Sequence, residues 1–226
     1  MSKSFGIVKT HFADIWSWIA LPWVILFSSF VVNLLLAGAS GEGFTTGGLA
    51  SIFVYVFVLG IASVSQTYSF IIGFGARRKD FFIGTATAIA IIAASSSVIL
   101  TLLAWIERQT DGWGVGLHFF SLPSISDGAL PVTVLFFFCS MTNIFFSGFL
   151  ISSIFRRFGR NVMLLFFAVI TLAMTVAAYL ITYYEKWTAL FDWLGGATLM
   201  QVTGTLLGLT LVYVAVTYAL LRKATI

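Results

Sequence analysis

The chain has 226 residues, of which 60% are apolar and 9% are charged, against about 25% charged residues in ordinary soluble domains. This composition excludes a soluble protein, because too few charged side chains are available to cover a water-facing surface. The net charge is only +4, and the basic residues form short groups between apolar runs, which argues against nucleic-acid binding. The single cysteine, Cys139, excludes a disulfide within the chain.

The N-terminal segment, residues 1–17, carries apolar residues at the spacing of one helix face. These positions are Phe5, Val8, Phe12 and Ile15. Lys9 and Asp14 fall away from that face. The pattern predicts an amphipathic helix that lies along the inner surface of a membrane. A frayed cytoplasmic tail is the alternative.

Six long apolar runs follow, and each is close to the roughly 20 residues that a helix needs to cross a bilayer. They cover about residues 18–37, 49–73, 82–105, 131–155, 162–183 and 197–221. They are too continuously apolar for the alternating pattern of barrel strands. The predicted fold is therefore all-α, a single transmembrane domain over residues 1–226 with six transmembrane helices and an N-terminal interfacial helix.

The charges between these runs predict the orientation. With the N-terminus in the cytoplasm, the inner segments hold Lys3, Lys9, Arg77, Arg78, Lys79, Arg156, Arg157, Arg160, Arg222 and Lys223. The outer segments hold only Arg108 and Lys186 among basic residues. Most acidic residues are outside, namely Glu42, Glu107, Asp111, Asp127, Glu185 and Asp192. This distribution follows the positive-inside rule and predicts a multi-pass membrane protein with both termini in the cytoplasm.

Two outer segments are unusual for membrane loops. The loop over about residues 106–130 is long and carries Phe119 and Phe120 beside several glycines. We expect it to rest on the membrane surface or to re-enter the membrane partly. The segment Tyr184–Leu194 alternates aromatic and charged residues, which favours a short outer helix at the lipid border.

No motif for catalysis, nucleotide binding or metal binding is present in the sequence. The two histidines, His11 and His118, are predicted on opposite sides of the membrane. The six runs contain no ionisable residue at their centres, whereas intramembrane enzymes and ion-coupled transporters normally need one. We therefore expect a chain that is not an enzyme and that binds no metal or cofactor itself.

A few uncharged polar residues lie within the predicted spans. Those that could line a translocation path are Asn33, Gln66, Asn143 and Gln201, with Ser63, Ser65 and Thr67 beside Gln66. The alternative role for each is a hydrogen bond between neighbouring helices, which contributes about 0.6 kcal/mol on average. The sequence leaves both roles open.

The most distinctive stretch joins the second and third runs. It contains a glycine pair, three cations, one acid and two aromatic residues, in the order GFGARRKDFF from position 73. A short helix here would present its charges to a cytosolic partner, while Phe81 and Phe82 anchor it at the membrane. A plain positive-inside loop is the alternative.

The chain resembles the small six-span permeases of the type-2 ABC exporter family, which export drugs, peptides and lipids from bacteria. The resemblance rests on the topology, the N-terminal helix and the first cytoplasmic loop, with Gly75, Arg77, Arg78, Asp80 and Phe81 in the family's pattern. In the family, a similar loop is the coupling helix that docks on the ATPase. The outer loop is longer than in many members.

The resemblance implies a permease that moves a hydrophobic or amphipathic substrate outward. Two copies of a cytosolic ABC ATPase would bind ATP and Mg²⁺, and a second permease, identical or sister, would complete the transporter within the membrane lipid. The implied ATPase-coupling residues are Gly75, Arg77, Arg78, Lys79, Asp80 and Phe81. Two other classes stay open: the substrate-binding membrane subunit of a vitamin-type importer, and a membrane assembly factor that transports nothing.

Overall fold

A computed structural model gives the fold of residues 3–41, 43–121 and 129–222. Over these residues the protein is all-α, apart from one pair of two-residue strands. The helices are α1 (Lys3–Ala13), α2 (Leu21–Ser40), α3 (Ala50–Ala62), α4 (Ser69–Gly73), α5 (Arg78–Gln109), α6 (Leu130–Tyr183), α7 (Trp187–Gly195) and α8 (Leu199–Arg222). The strands are β1 (Phe44–Thr45) and β2 (Leu117–His118).

Five helical segments are long and apolar enough to cross a membrane. They are Trp16–Ser40, Ala50–Gly73, Arg78–Gln109, Leu130–Tyr183 and Leu199–Arg222. The prediction of a multi-pass helical membrane protein is confirmed at this level. The prediction of six separate membrane helices is wrong as stated, because the predicted fourth and fifth spans run together in α6.

The 54-residue helix α6 is interrupted at one position. Gly159 has φ 78° and ψ −177°, a backbone conformation that only glycine adopts readily. The interruption lies between Arg157 and Arg160, in the basic group that separates the two apolar runs. Helical hydrogen bonding resumes directly after Gly159, with no intervening loop, which is why the two predicted spans form one element.

The prediction for the N-terminal helix also needs correction. Helix α1 ends at Ala13 instead of continuing to residue 17. Its buried residues are Ile7 and His11, whereas Phe5 and Ile15 of the predicted apolar face are exposed. The helix packs against α5 through Ile7, His11 and the partly buried Phe12, so hydrophobic spacing identifies the packed face only in part.

The centre of the bundle is formed by α3, α5 and the first part of α6, where aromatic rings pack together. Phe145 and Phe149 of α6 stack with ring centroids 5.7 Å apart, and Phe81 of α5 stacks on Phe149 at 6.2 Å. Helices α3 and α6 touch through their backbones, because a Cβ on Gly60 would overlap the Phe145 carbonyl oxygen. Such close glycine contacts are typical of helix packing in membranes.

The second part of α6 differs from the first, because nearly all of its residues are exposed within the single chain. Helix α8 packs on the first part of α6, where the Asn143 amide donates hydrogen bonds to the Leu206 carbonyl and the Thr210 hydroxyl, each at 3.2 Å. Helix α7 matches the predicted short outer helix over Tyr184–Leu194. Some residues used to predict the orientation lie outside the described part of the chain: Glu42, Asp127, Lys223 and the side chain of Lys3. The centre of the 106–130 loop also lies outside it.

Candidate functional site

Contacts define two ends of the bundle. At the first, which we call the basic end, the Arg78 side chain donates to the Arg222 carbonyl at 3.0 Å, and the Arg156 guanidinium lies 5.4 Å from the Tyr68 ring centroid. At the second, which we call the strand end, β1 pairs with β2 in parallel, with Phe44 opposite Leu117. His11 contacts Thr85 near the start of α5 at the basic end, whereas His118 lies in β2 at the strand end.

A polar cavity of about 230 Å³ lies near the basic end, between the start of the first apolar segment and the second. Its lining includes Asp14, Ser17, Trp18, Tyr55, Val58, Leu59, Ala62, Ser63, Gln66 and Thr67. Charged side chains are scarce in this protein, at 9% of its residues, and a cavity lined by a carboxylate and several uncharged polar groups is the main functional feature of this end.

The first wall of the cavity is a π-helical turn, Trp16–Ala20. Pro22, near the start of α2, has no N–H to donate and so interrupts the regular helical hydrogen-bond ladder. The Leu21 N–H instead reaches back five residues to the Trp16 carbonyl. Asp14 precedes this turn and accepts a hydrogen bond from the Ser17 N–H through its carboxylate at 3.3 Å.

The second wall is another π-helical turn, Ser63–Tyr68. The Ser63 hydroxyl donates to the Leu59 carbonyl at 2.8 Å, and the Ser65 hydroxyl donates to the Ile61 carbonyl at 3.2 Å. Serine hydroxyls that bond to carbonyls one turn earlier compete with the backbone and loosen a helix. Turns of this kind occur frequently at functional sites in membrane and soluble helices.

One direct bond links the two walls, and several polar groups remain available. The Tyr55 hydroxyl donates to the Ser17 carbonyl at 2.8 Å. Within the described ranges, neither the Gln66 amide nor the Thr67 hydroxyl has a hydrogen-bond partner, and Asp14 forms no ion pair. The cavity therefore presents a carboxylate, an amide and a hydroxyl that can bind something else.

His11 packs against Trp18, which lines the cavity. Its ring centroid lies 4.2 Å from that of Trp18, and its Nε2 is 3.0 Å from the Thr85 hydroxyl. Burial lowers the pKa of His11 from 6.5 to about 4, while the nearby Asp14 charge acts in the opposite direction. His11 is therefore neutral at physiological pH, and it fixes Trp18 by packing.

The strand end is organised by one buried carboxylate. Glu107 is 0% exposed and accepts hydrogen bonds from the Trp113 indole at 2.9 Å and from the N–H groups of Phe119 and Phe120 at 3.0 and 2.9 Å. Its other oxygen accepts from the N–H of Ser121 at 2.9 Å and from the Ser121 hydroxyl. The first part of the outer loop is thus folded around this side chain.

The four residues predicted for a translocation path lie at separate places. Gln66 lines the polar cavity, whereas the Asn143 amide bonds to α8. The Asn33 amide donates within its own helix, to the Ser29 carbonyl at 2.8 Å. Gln201 forms a reciprocal cap at the start of α8, accepting from the Thr198 N–H at 2.9 Å, and it also borders a separate cavity beside α7.

The predicted ATPase-coupling residues form a turn and the first turn of α5. Gly75 has φ 78° and ends the turn after α4, and Arg77 precedes α5 in an extended conformation. Arg77 and Lys79 are exposed, and Asp80 lies in the first helical turn, where a negative charge is favourable. No separate short helix exists in this described stretch, because residues from Arg78 onward belong to α5.

The expectation that Phe81 anchors this loop at the membrane surface is wrong. Phe81 is fully buried and packs edge-on against Tyr68 at 5.1 Å. The neighbouring Phe82 is also buried and contacts Tyr218 of α8 at 5.2 Å. An aromatic pair after a charged loop has the same sequence pattern whether it faces lipid or a helix bundle.

Comparisons with family profiles, with characterised proteins and with solved structures found no match to this chain. The sequence and fold establish a multi-pass helical membrane protein, and the exporter resemblance depends on the sequence features described above. Sequence reasoning missed two functional candidates, Glu107 and Asp14. The available signal for Glu107 was an acid at the end of a predicted span, followed by an unusually apolar loop.

Proposed function

We propose that the chain is the transmembrane permease subunit of an ATP-driven exporter for hydrophobic or amphipathic substrates. The observation that carries this proposal is the polar cavity at the basic end, which opens between two π-helical turns. A structural membrane protein has no need for unpartnered polar groups at such a place. A transporter needs them to admit a substrate from one side.

The proposal includes six membrane crossings, with α6 crossing twice. At about 1.5 Å per residue, 54 residues would extend roughly 80 Å as one straight helix, against a hydrocarbon core of about 30 Å. Asn143 contacts Leu206, and Phe82 at the basic end contacts both Phe149 and Tyr218. The first part of α6 therefore runs in the same direction as α8, which requires the intervening chain to return across the membrane.

The basic end is assigned to the cytoplasm. Exposed or half-buried arginine and lysine residues at this end lie at Arg77, Arg78, Lys79, Arg156, Arg157, Arg160 and Arg222. The excess of basic residues in cytoplasmic loops sets this orientation in inner-membrane proteins. Both termini and the polar cavity are then on the cytoplasmic side, where an exported substrate would enter.

Docking of a cytosolic ATPase is assigned to the turn before α5. Arg77 and Lys79 project from this turn, and Arg78 ties it to the end of α8 through the Arg222 carbonyl. A force applied at this turn would therefore reach α5 and α8 together. Two ATPase copies, with their ATP and Mg²⁺, and a second permease, identical or sister, complete the proposed transporter; the exposed helices at the C-terminal end offer surface for that permease or for lipid.

Purification in gentle detergent, followed by mass spectrometry of the bound proteins, tests the proposal. We expect a stoichiometric cytosolic ATPase with the native chain and its loss in the double variant Arg77→Glu/Lys79→Glu. Lys186→Glu makes a similar charge reversal at an exposed position beyond α6 and serves as the matched control. It should retain the ATPase.

Other outcomes would support the competing functions. A chain that purifies with a tightly bound small molecule and no ATPase would favour the binding subunit of an importer. A chain that purifies with other membrane proteins only, and stimulates no ATP hydrolysis, would favour an assembly factor. Retention of the ATPase by the double variant would show that the turn before α5 is not part of the docking surface.

A further inference from the structure

We infer that the polar cavity at the basic end binds a primary ammonium group, with the Asp14 carboxylate as its counter-ion. The inference depends on the proposed function only for the membrane side on which the cavity opens. Binding itself requires no ATPase. The ammonium can belong to a free amphiphilic amine or to an aminated lipid headgroup, since both present the same chemistry to the site.

The charge of the cavity favours a cation. Among the described residues that line the cavity, Asp14 supplies the only carboxylate and there is no arginine, lysine or histidine; Asp14 has no ion-pair partner within the described ranges. Asp14 is exposed, so a ligand cation can reach it, and the attraction between the two charges grows as the surrounding water is displaced. The arginines described at this end do not line the cavity.

The neutral polar groups fit the same ligand. An ammonium has three N–H donors and no acceptor, so its ideal partners are oxygen atoms. Besides the Asp14 carboxylate, the cavity offers the Gln66 amide oxygen and the Thr67 hydroxyl oxygen, neither of which is bonded within the described part of the chain. These three side chains come from two different walls, so one small cation can contact both.

The size and apolar lining set the kind of amine. A volume of about 230 Å³ is several times the roughly 30 Å³ that a water molecule occupies in the liquid. It accommodates an ethanolamine-sized group. Trp18, Val58 and Leu59 line the remainder, so the carbon atoms next to the ammonium have apolar partners and the rest of an amphiphile extends into lipid.

Asp14 also has a structural role, as the acceptor for the Ser17 N–H. The substitution Asp14→Asn separates the two roles, because the asparagine amide oxygen can still accept that bond while the charge is removed. Asparagine and aspartate are similarly good at this position before a helix. The variant is therefore expected to fold normally and to lose only cation binding.

Calorimetric titration of the purified chain in phosphatidylcholine nanodiscs provides the test, with n-hexylamine as the probe and n-hexanol as its neutral match. We expect hexylamine to bind and hexanol to bind at least tenfold more weakly. Asp14→Asn should lower the hexylamine affinity at least tenfold, and Glu185→Gln, an exposed charge removal at the other end of α6, should leave it unchanged. Thr67→Val, which keeps the side-chain shape, should lower it several-fold.

A second arm identifies the natural source of the ammonium. Native mass spectrometry of the chain, released from nanodiscs of mixed phosphatidylethanolamine and phosphatidylglycerol, should show retained phosphatidylethanolamine that disappears in Asp14→Asn if the source is a lipid headgroup. Binding of hexylamine without retained phosphatidylethanolamine would identify a free amine as the source. Both outcomes support the ammonium site.

Equal binding of hexylamine by Asp14→Asn and by the native chain would overturn the inference, and so would equal binding of hexanol and hexylamine. If Asp14→Asn does not fold, an unchanged affinity in Thr67→Val would overturn it as well. Failure of the site and failure of the exporter proposal remain distinguishable. Amine binding without a co-purified ATPase would contradict only the exporter proposal. A co-purified ATPase without amine binding would contradict only the ammonium-site inference.

Discussion

The two ends of the bundle use polar groups in opposite ways. At the strand end, the buried Glu107 carboxylate accepts five hydrogen bonds, and its donors fold the adjacent loop into one conformation. At the basic end, Asp14 accepts one weak bond, and Gln66 and Thr67 have no partner within the described residues. Fully satisfied polar groups rigidify a structure, whereas unsatisfied ones are free to bind a ligand. The comparison indicates a fixed end and a binding end.

The largest loss of stability is expected from Glu107→Gln, which tests whether this carboxylate holds the strand end in one conformation. The glutamine has one acceptor oxygen and directs its N–H₂ group at backbone N–H donors, so several bonds are lost together. Hydrogen bonds to charged groups contribute about 1.5–3 kcal/mol each, and we expect a loss of at least about 4 kcal/mol. The thermal unfolding midpoint in detergent and limited proteolysis of residues 110–121 measure it.

Asp111→Asn provides the control for this variant. Asp111 is exposed and has φ 48°, a conformation that asparagine also adopts readily. The Asp111→Asn variant removes one acidic charge from the same loop without changing the hydrogen bonds to Glu107. Its unfolding midpoint should stay close to that of the native chain. Similar midpoints for Glu107→Gln and Asp111→Asn would contradict the view of a fixed end.

A smaller loss of stability, which appears only at low pH, is expected from His11 at the binding end. Its pKa falls from 6.5 to about 4 in the folded protein, so the unfolded chain takes up a proton below pH 6.5 that the folded chain does not. Stability is therefore complete above pH 6.5 and decreases as the pH falls toward 4. A shift of this size corresponds to on the order of 3 kcal/mol. Denaturant unfolding at pH 7.5 and pH 4.5 measures the loss.

The variant His11→Gln separates this histidine from the other titrating groups. Glutamine can bond to the Thr85 hydroxyl without taking up a proton, so the pH dependence should be reduced. His118→Gln tests the other histidine, at the strand end, whose Nδ1 lies 4.0 Å from the Glu107 carboxylate. The assignment to His11 fails if His11→Gln retains the full loss of stability at pH 4.5.

The smallest loss of stability is expected from replacing glycine by alanine, at Gly43 in the strand end and at Gly73 in the basic end. A Cβ on Gly43 would lie 2.7 Å from the Gly116 carbonyl oxygen, whereas nothing lies within 4 Å of a Cβ on Gly73. We expect Gly43→Ala to cost about 1–2 kcal/mol through a forced shift of the paired strands. Gly73→Ala, at the end of α4, should be neutral or slightly stabilising because alanine favours the helix. Unfolding midpoints of the two variants compare the ends directly.

The sequence predicted the membrane class well, because long apolar runs have few alternative structures. It did not predict that the fourth and fifth runs join across Gly159, since the same glycine is compatible with a loop or with an interruption of continuous helices. Helical spacing identified the packed face of α1 only in part: Phe12 packs on the core, whereas Phe5 and Ile15 are exposed, because in a membrane protein apolar residues face lipid as well as the core.

The candidate sites were predictable to different degrees. Gln66 was recognised because an amide within an apolar run is rare, and it does line the cavity. Asp14 and Trp18 were not connected with it, because that contact depends on the π-helical turns, and no propensity rule predicts those. Glu107 was counted only as an outer charge, since its donors are mostly backbone N–H groups, which leave no trace in a sequence.

The parallel pairing of β1 with β2 has a mechanical consequence. β1 follows the first long helix and β2 follows α5, so two hydrogen-bonded residues on each side tether the ends of these helices. The other ends are joined mainly through α1 and individual side chains. These two helices therefore cannot separate at the strand end without breaking the backbone hydrogen bonds of the strand pair.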